Sequence, residues 1–569
     1  MKDSLRGNQR FSRILALLTA LCMLAVCLPA VASAQAETVS GLKVGAGMAD
    51  ITPTQDMYPL SWGSGGRGYA FIGAASRVYA RVIALQNDDG PVSLMVSVET
   101  GKGPYAPDMM AAIAEATGVE EENIFWSTTH VHSTPENKRA TWADSLDLEI
   151  RTDTVANNFT DLCARNNSRW CKLVQKQLVV AAREAVAGLQ PAEVGMAAGT
   201  SNININRDTQ YRATPTTTAE GFNGDGPSDK TLTTLEFRSR ETGEPIAYIV
   251  HYAMHNVLLY ANDYFNPDYE GINYTKYTGE IIAGDYDHEN VDDIVPGAQA
   301  EINVAYCDAY SYVEYELDEA TGVAITSGVN EGKYSGIVVG NAAIHGDIGG
   351  LVSQYVEYNH PGAVALWMSG AAGDQNPVLR NCMNYPAPYD MDVGDLKHFD
   401  EGAPVELTMK GGLLEAAVYY AAIQYVDVKN TLSTISEYKS DMPISRAYGE
   451  TTLLRDPDQP DATGNAAESY SICLTVMCLG DITFAGSNGE PYNNIGVHMR
   501  DDGIAPNVLV VNHCWPIERT SDNGYYPDDV AIANNSYRWG NNAKYALGTI
   551  YPAMVSLLNE TYQAAQAAQ

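Results

Sequence analysis

The sequence predicts an α/β fold, with a mixed β-sheet core flanked by helices in a single large domain. Three observations predict it. Short apolar strands and amphipathic helices interleave along the whole length instead of segregating. No internal repeat or low-complexity linker interrupts the 569 residues. No segment reads as a detachable second domain, and the chain is long enough to bury a sizeable core without staples.

The elements follow in order. Val44–Asp50 reads as a short strand ending in the turn Thr52-Pro53. Arg77–Leu85 alternates, with Val78, Ala80, Val82 and Ala84 on one face, which predicts a half-buried strand. The continuous apolar run Val92–Val98 suits a buried strand. Pro107–Ala116 reads as a helix with proline in its first turn, Asn123–Thr129 as a strand, and Lys172–Leu189 as an amphipathic helix. Further strands are predicted at Leu232–Phe237, Ile246–Met254, Ala363–Met368, Ser471–Leu479, Ile482–Ala485 and Val508–Val511. Further helices are predicted at Gly349–Tyr358, Gly412–Val426 and Asn542–Leu558. One segment breaks the rhythm. From Leu258 to about Asn341 the chain is rich in Tyr, Asp, Glu, Asn and Gly and has little periodicity, so it reads as a long insertion, a lid or a binding surface. Asp390–Glu406 is a second, acidic loop.

The first 34 residues read as an export signal. Lys2, Arg6, Arg10 and Arg13 form a positive start, and Ile14–Pro29 an apolar stretch shorter than the roughly 20 residues of a spanning helix. Ala32-Ser33-Ala34 is a cleavage site, with Ala34-Gln35-Ala36 as the alternative. Cys22 and Cys27 lack a small residue just before them, so a lipid anchor is not expected. The exported chain, residues 35–569, is expected at the cell surface, in the periplasm or in the medium, with no transmembrane segment. It keeps Cys163, Cys171, Cys307, Cys382, Cys473, Cys478 and Cys514. This odd number leaves at least one thiol outside any intramolecular pair, and Cys163 and Cys171 could close a small loop. No CxxC pair is present, which disfavours a cysteine zinc site.

Thirty-five basic residues face 70 acidic ones, a net charge of −35. Such a field repels phosphate backbones and anionic head groups, so nucleic acid is excluded as a partner. The charge is that of a solvated surface, with calcium uptake by some acidic loops as the sharper reading.

Three segments carry chemistry. In Ser127-Thr128-Thr129-His130-Val131-His132-Ser133-Thr134-Pro135, two histidines stand at i and i+2, which on a strand share one face. Neutral imidazole is a natural zinc ligand. A second pair, His251 and His255, follows another apolar strand, and one of them could complete a metal site. In Leu479–Pro491 a strand runs into the glycine-flanked Glu490, either a metal-binding carboxylate or a helix-start glutamate favoured by the dipole.

Together these pieces resemble the neutral, non-lysosomal ceramidases. His130–Glu136 resembles that family's HTHxGP motif. Gly45–Pro53 is similar to its opening strand and turn, and Gly68-Tyr69-Ala70 and Tyr79–Val82 to its next elements. Asn204-Ile205-Asn206-Arg207 resembles its NxNR segment, and Tyr252–His255 its histidine-ended strand. Ser369–Pro377 is similar to its GD turn, Gly489-Glu490 to its glycine-glutamate, and Gly524–Pro527 to its late tyrosine motif. The order is kept over residues 44 to about 527. The resemblance implies a catalytic domain over residues 35–569 that binds one zinc per chain. It implies His130, His255, Glu490 and Tyr525 as ligands, with Tyr526 the neighbouring choice. It assigns His132 and Arg207 to the substrate carbonyl. The implied reaction is hydrolysis of an N-acyl amide, a ceramide-like lipid being the leading substrate.

The sequence departs from that pattern at substrate-side positions. Asn376 stands where the family has serine, Thr134-Pro135-Glu136-Asn137 replaces a glycine-rich run, and Asn256-Val257 replaces a proline-threonine. The sequence stops at Gln569, where the best-known members continue into a β-sandwich domain. Two other classes compete. A serine acyl hydrolase needs a nucleophile elbow, but no GxSxG is present and only Ser369 is a candidate. A surface or carbohydrate-binding protein would keep the fold without turnover, using the acidic, tyrosine-rich insertion.

Overall fold

In the computed structural model these apolar runs pair into a nine-stranded mixed sheet and a four-stranded sheet. The described residues are 40–58, 60–61, 70–74, 76–101, 106–135, 145–150, 155–210, 218–259, 315–317, 324–326, 342–378, 412–454, 469–515, 524–533 and 547–568. The strands that position the site are, in chain order, β1 (Leu42–Asp50), β2 (Tyr79–Asn87), β3 (Ser93–Val98), β4 (Ile124–Thr128), β5 (Gln190–Thr200) and β6 (Asn204–Gln210). Next come β7 (Thr231–Ser239), β8 (Pro245–Tyr252), β9 (Val364–Ser369), β10 (Gln375–Pro377), β11 (Ile444–Leu454) and β12 (Ser469–Leu479). The last are β13 (Ile482–Ser487), β14 (Glu490–Pro491), β15 (Val508–Val511), β16 (Cys514–Trp515) and β17 (Tyr525–Tyr526). The helices are α1 (Ala106–Thr117), α2 (Val155–Ala187), α3 (Asp347–Asn359), α4 (Gly412–Leu432), α5 (Asn493–Asp502), α6 (Asp529–Ala533) and α7 (Ile550–Ala567).

The large sheet runs β9-β8-β7-β5-β1-β2-β3-β4-β16, antiparallel except at β8–β9 and β3–β4. The small sheet runs β11-β12-β13-β15. Strand parity sorts the core. On β2, Ala80, Val82 and Ala84 pack with Val174, Leu178 and Ala181 of α2. Tyr79, Ile83 and Leu85 point the other way, against Met477, Leu479, Phe484 and Leu509 of the small sheet. The outer face of that sheet, through Leu474, Val476 and Cys478, carries α5 and α7. The layers are therefore helix, sheet, sheet, helix.

This layering corrects the half-buried reading of residues 77–85. Tyr79 to Leu85 is buried on both faces, because the second sheet covers what alternation alone assigns to solvent. Gly45 and Gly47 lie where β1 crosses α2, and a Cβ on either would strike the main-chain oxygen of Ala185 or Ala181. Their absent side chains set the spacing between sheet and helix.

Most predicted elements are found within a few residues. The helix predicted from Lys172 starts earlier, at Val155. Cys163 and Cys171 both lie inside it, eight residues or about 12 Å apart along the axis, beyond disulfide reach. They carry separate buried thiols, not a small closed loop. The helix predicted from Asn542 is seen from Ile550. Strands β5, β6 and β11 were not predicted. Of the insertion, little beyond Tyr315–Leu317 and Ala324–Thr326, a short antiparallel pair, is described. The rest of it, the acidic loop Asp390–Glu406 with its calcium expectation, and the export signal lie outside the described residues. Among the described residues no helix is long and apolar enough to cross a membrane.

Arg81 on β2 is buried between two carboxylates. It donates to Glu357 through Nε at 2.6 Å and Nη2 at 3.0 Å, and to Glu99 through Nη1. Burial, opposed by Arg81, pushes the Glu99 carboxyl up from 4.5 to about 7. The folded chain then keeps a proton that the unfolded chain releases earlier. Stability from this group is full below about pH 4.5 and is lost as pH rises to about 7, at up to ~1.4 kcal/mol per pH unit. Glu99→Gln should flatten that fall relative to the parent in urea denaturation across the same window. An unchanged slope would show that Glu99 is ionised throughout.

Candidate metal centre

Strand ends and tight turns deliver the site. The pair His130 and His132 was expected on a strand, sharing a face through the pleat. Instead β4 stops at Thr128, and His130 adopts left-handed backbone with φ 57°. The two rings converge by a turn. Asn256 stitches that turn in place: its Nδ2 donates to Thr129 O at 2.7 Å, its carbonyl accepts from His132 N at 3.0 Å, and its Oδ1 accepts from Gly349 N at 2.8 Å. Asn256 is one of the positions that departs from the family pattern.

His130 Nδ1 lies 3.2 Å from Gly101 O, and His255 Nδ1 lies 2.5 Å from Ala372 O. A carbonyl can only accept, so each Nδ1 carries the proton and the neutral ring has its lone pair on Nε2. Those Nε2 atoms face one carboxylate oxygen. Glu490 Oε2 is 2.9 Å from His255 and 3.5 Å from His130. The three residues are 1% exposed or less. Burial raises the Glu490 carboxyl, but His130, His513 and His255 hold it well below the usual range. Burial, then Arg207, pushes His255 down to about 3. Two imidazole Nε2 atoms and one buried carboxylate oxygen therefore confront each other at close range. A cation between them resolves the confrontation, so this donor set fits a zinc-type ion. Main-chain carbonyls orient the two rings, as outer partners of metal-binding histidines usually do.

His132, half-buried at the edge of the group, has Nε2 3.1 Å from that of His130. Burial, with His130 and His255 nearby, pushes it well below the usual histidine range, so it is neutral at pH 7. Arg207 leaves β6 and donates through Nη2 to Gly373 O at 2.6 Å and through Nη1 to Asn376 Oδ1 at 3.1 Å. Its Nη2 is 3.5 Å from His255 Nε2. The turn at Ala372–Asp374 thus serves both His255 and Arg207. Asp374 fixes the turn, accepting from Asn206 Nδ2 and Asn493 N at 2.7 Å each. A Cβ at Gly373 would meet Glu490 O at 2.5 Å, so only glycine lets the turn approach the carboxylate strand.

β14 and β17 pair in parallel, Glu490 opposite Tyr525. The Tyr525 ring lies almost parallel to His255 at 6.3 Å, beneath the Arg207 guanidinium at 5.5 Å. Tyr526 is buried in the outer core, its hydroxyl 3.2 Å from Asn488 Oδ1. Of the two tyrosines, Tyr525 is the one beside the donors. Ser369 Oγ donates to Met254 O at 3.1 Å inside the core, the bond of a structural serine. His251 is not brought to the site. Its Nε2 donates to Val510 O at 2.7 Å, and it lines a separate cleft of about 40 Å³ with Asp229 and Arg500.

One residue at the centre was not singled out from sequence. His513 follows β15 and stacks on His130, ring centroids 3.6 Å apart, with Nε2 3.8 Å from Glu490 Oε1. An apolar strand followed by histidine, the signal that marked His255, also marks it.

No family model matches the sequence, and no curated protein matches it. Solved structures do share its fold. A neutral ceramidase from Pseudomonas aeruginosa superposes with a TM-score of 0.55 at 14% identity, covering 93% of this chain and 75% of that one. A ceramidase complexed with C2 gives a TM-score of 0.54 at 14% identity, covering 93% and 76%. The fold expected from the sequence resemblance is the fold found.

Proposed function

We propose that the chain is an exported zinc-dependent hydrolase of N-acyl amide bonds, with a ceramide-like lipid as its leading substrate. The observation that carries this reading is the convergence of His130 Nε2, His255 Nε2 and Glu490 Oε2 within 3.5 Å or less of the shared oxygen, buried, in a fold shared with ceramidases. These residues would hold the ion, with Tyr525 as the fourth ligand. Zinc held there would lower the pKa of water toward 7 and would polarise the amide carbonyl.

The chain's own groups divide the remaining work. Arg207, anchored by Gly373 and Asn376, keeps a fixed positive charge where the carbonyl oxygen becomes anionic. Neutral His132 takes a proton from the attacking water and passes it to the departing nitrogen. Water adds to the carbonyl carbon, the C–N bond breaks, and a fatty acid and an amine leave. The main-chain bonds at Gly101 and Ala372 keep both ligand rings from turning.

The test joins metal content to turnover. The purified chain should hold about one zinc, and the double variant His130→Ala, His255→Ala should hold none. Chelation should stop hydrolysis of a short-chain ceramide or a simpler N-acyl amide, and zinc should restore it. A chain that holds zinc but cleaves none of these amides would favour the binding-protein reading.

A further inference from the structure

Glu490 offers two oxygens, and the histidines divide between them. Oε2 faces His255 and His130, while Oε1 faces His513 Nε2 at 3.8 Å. The rings of His130 and His513 are wholly buried and lie 20° from parallel. Stacked in this way, they present their Nε2 atoms to the same carboxylate. His130, Glu490 and His513 each offer a ligand atom within 4.8 Å of the others. An ion with bonds of about 2.0–2.2 Å could gather all three after small side-chain rotations.

The backbone uses one device twice. β4 ends at Thr128, and His130 follows two residues later with φ 57°. β15 ends at Val511, and His513 follows two residues later with φ 51°. The strands come from different sheets, yet each delivers an imidazole to the same carboxylate through a left-handed step. Such a step costs a residue other than glycine some free energy, and it persists where the side chain is needed.

We propose that His513 is a ligand of the same ion, so that the centre has three imidazoles and one carboxylate. The inference rests on the metal reading above and extends it, because the family resemblance implies no ligand at this position. Four protein donors are then present before any tyrosine oxygen is counted. His513 would then take the place given above to Tyr525, and an open position would remain for water.

X-ray absorption at the zinc edge of the loaded full chain counts imidazoles directly. Three are expected in the parent and two in His513→Asn, asparagine being chosen because it tolerates left-handed backbone. In chelator competition the same variant should bind zinc about 10- to 100-fold more weakly, a loss at least as large as that seen for outer-shell changes. Two imidazoles in the parent, or a variant affinity within twofold of it, overturn the proposal while leaving the proposed hydrolase intact. A parent that holds no zinc overturns both.

Discussion

Glu490→Gln should abolish zinc binding and lower kcat/KM for N-acyl amide hydrolysis by about 10³- to 10⁴-fold. The carboxylate is the only anionic donor in the described group that faces His130 and His255, and it is 1% exposed. Glutamine has nearly the same shape but presents a neutral amide. A bound ion would then lose the negative charge that offsets its removal from water. Losing several kcal/mol of metal-assisted stabilisation, at about 1.4 kcal/mol per tenfold, gives the stated loss. Zinc content by elemental analysis and hydrolysis rates on the same sample check it. A variant that loses turnover but keeps its zinc would mean that Glu490 acts on substrate or water instead.

Arg207→Met should leave zinc in place and lower kcat by about 10²- to 10³-fold, the scale for removing one donor to a developing oxyanion. The guanidinium is buried and held by two bonds, to Gly373 O and Asn376 Oδ1, so its charge is fixed before substrate arrives. Methionine keeps much of the volume and none of the charge. KM should move less than kcat, because the charge is needed most when the carbonyl oxygen becomes anionic. A kcat within tenfold of the parent would make Arg207 a structural brace for the turn at Gly373.

The sequence carried much of this. Apolar runs such as Val92–Val98 and Val508–Val511 marked their strands, because buried strands leave continuous hydrophobic text. β5 escaped because its Gly195, Gly199 and Pro191 break any alternation. The second sheet over β2 was not legible, since residue order says nothing of what covers a strand's far face. At the site, His130, His255 and Glu490 could be read because each follows a strand within a short motif. Asn256 escaped as a positioning residue, because its three bonds go to chain segments distant in sequence. His513 was overlooked although its strand was identified.

The two carbonyls behind the rings of His130 and His255 have a consequence for how this site can change over time. A brace made by a side chain disappears with one substitution. A brace made by the backbone of Gly101 and Ala372 survives any replacement that keeps the path of the turn. Side chains around the site can then change while the two rings stay aimed. A fold shared at 14% identity is what such a construction permits.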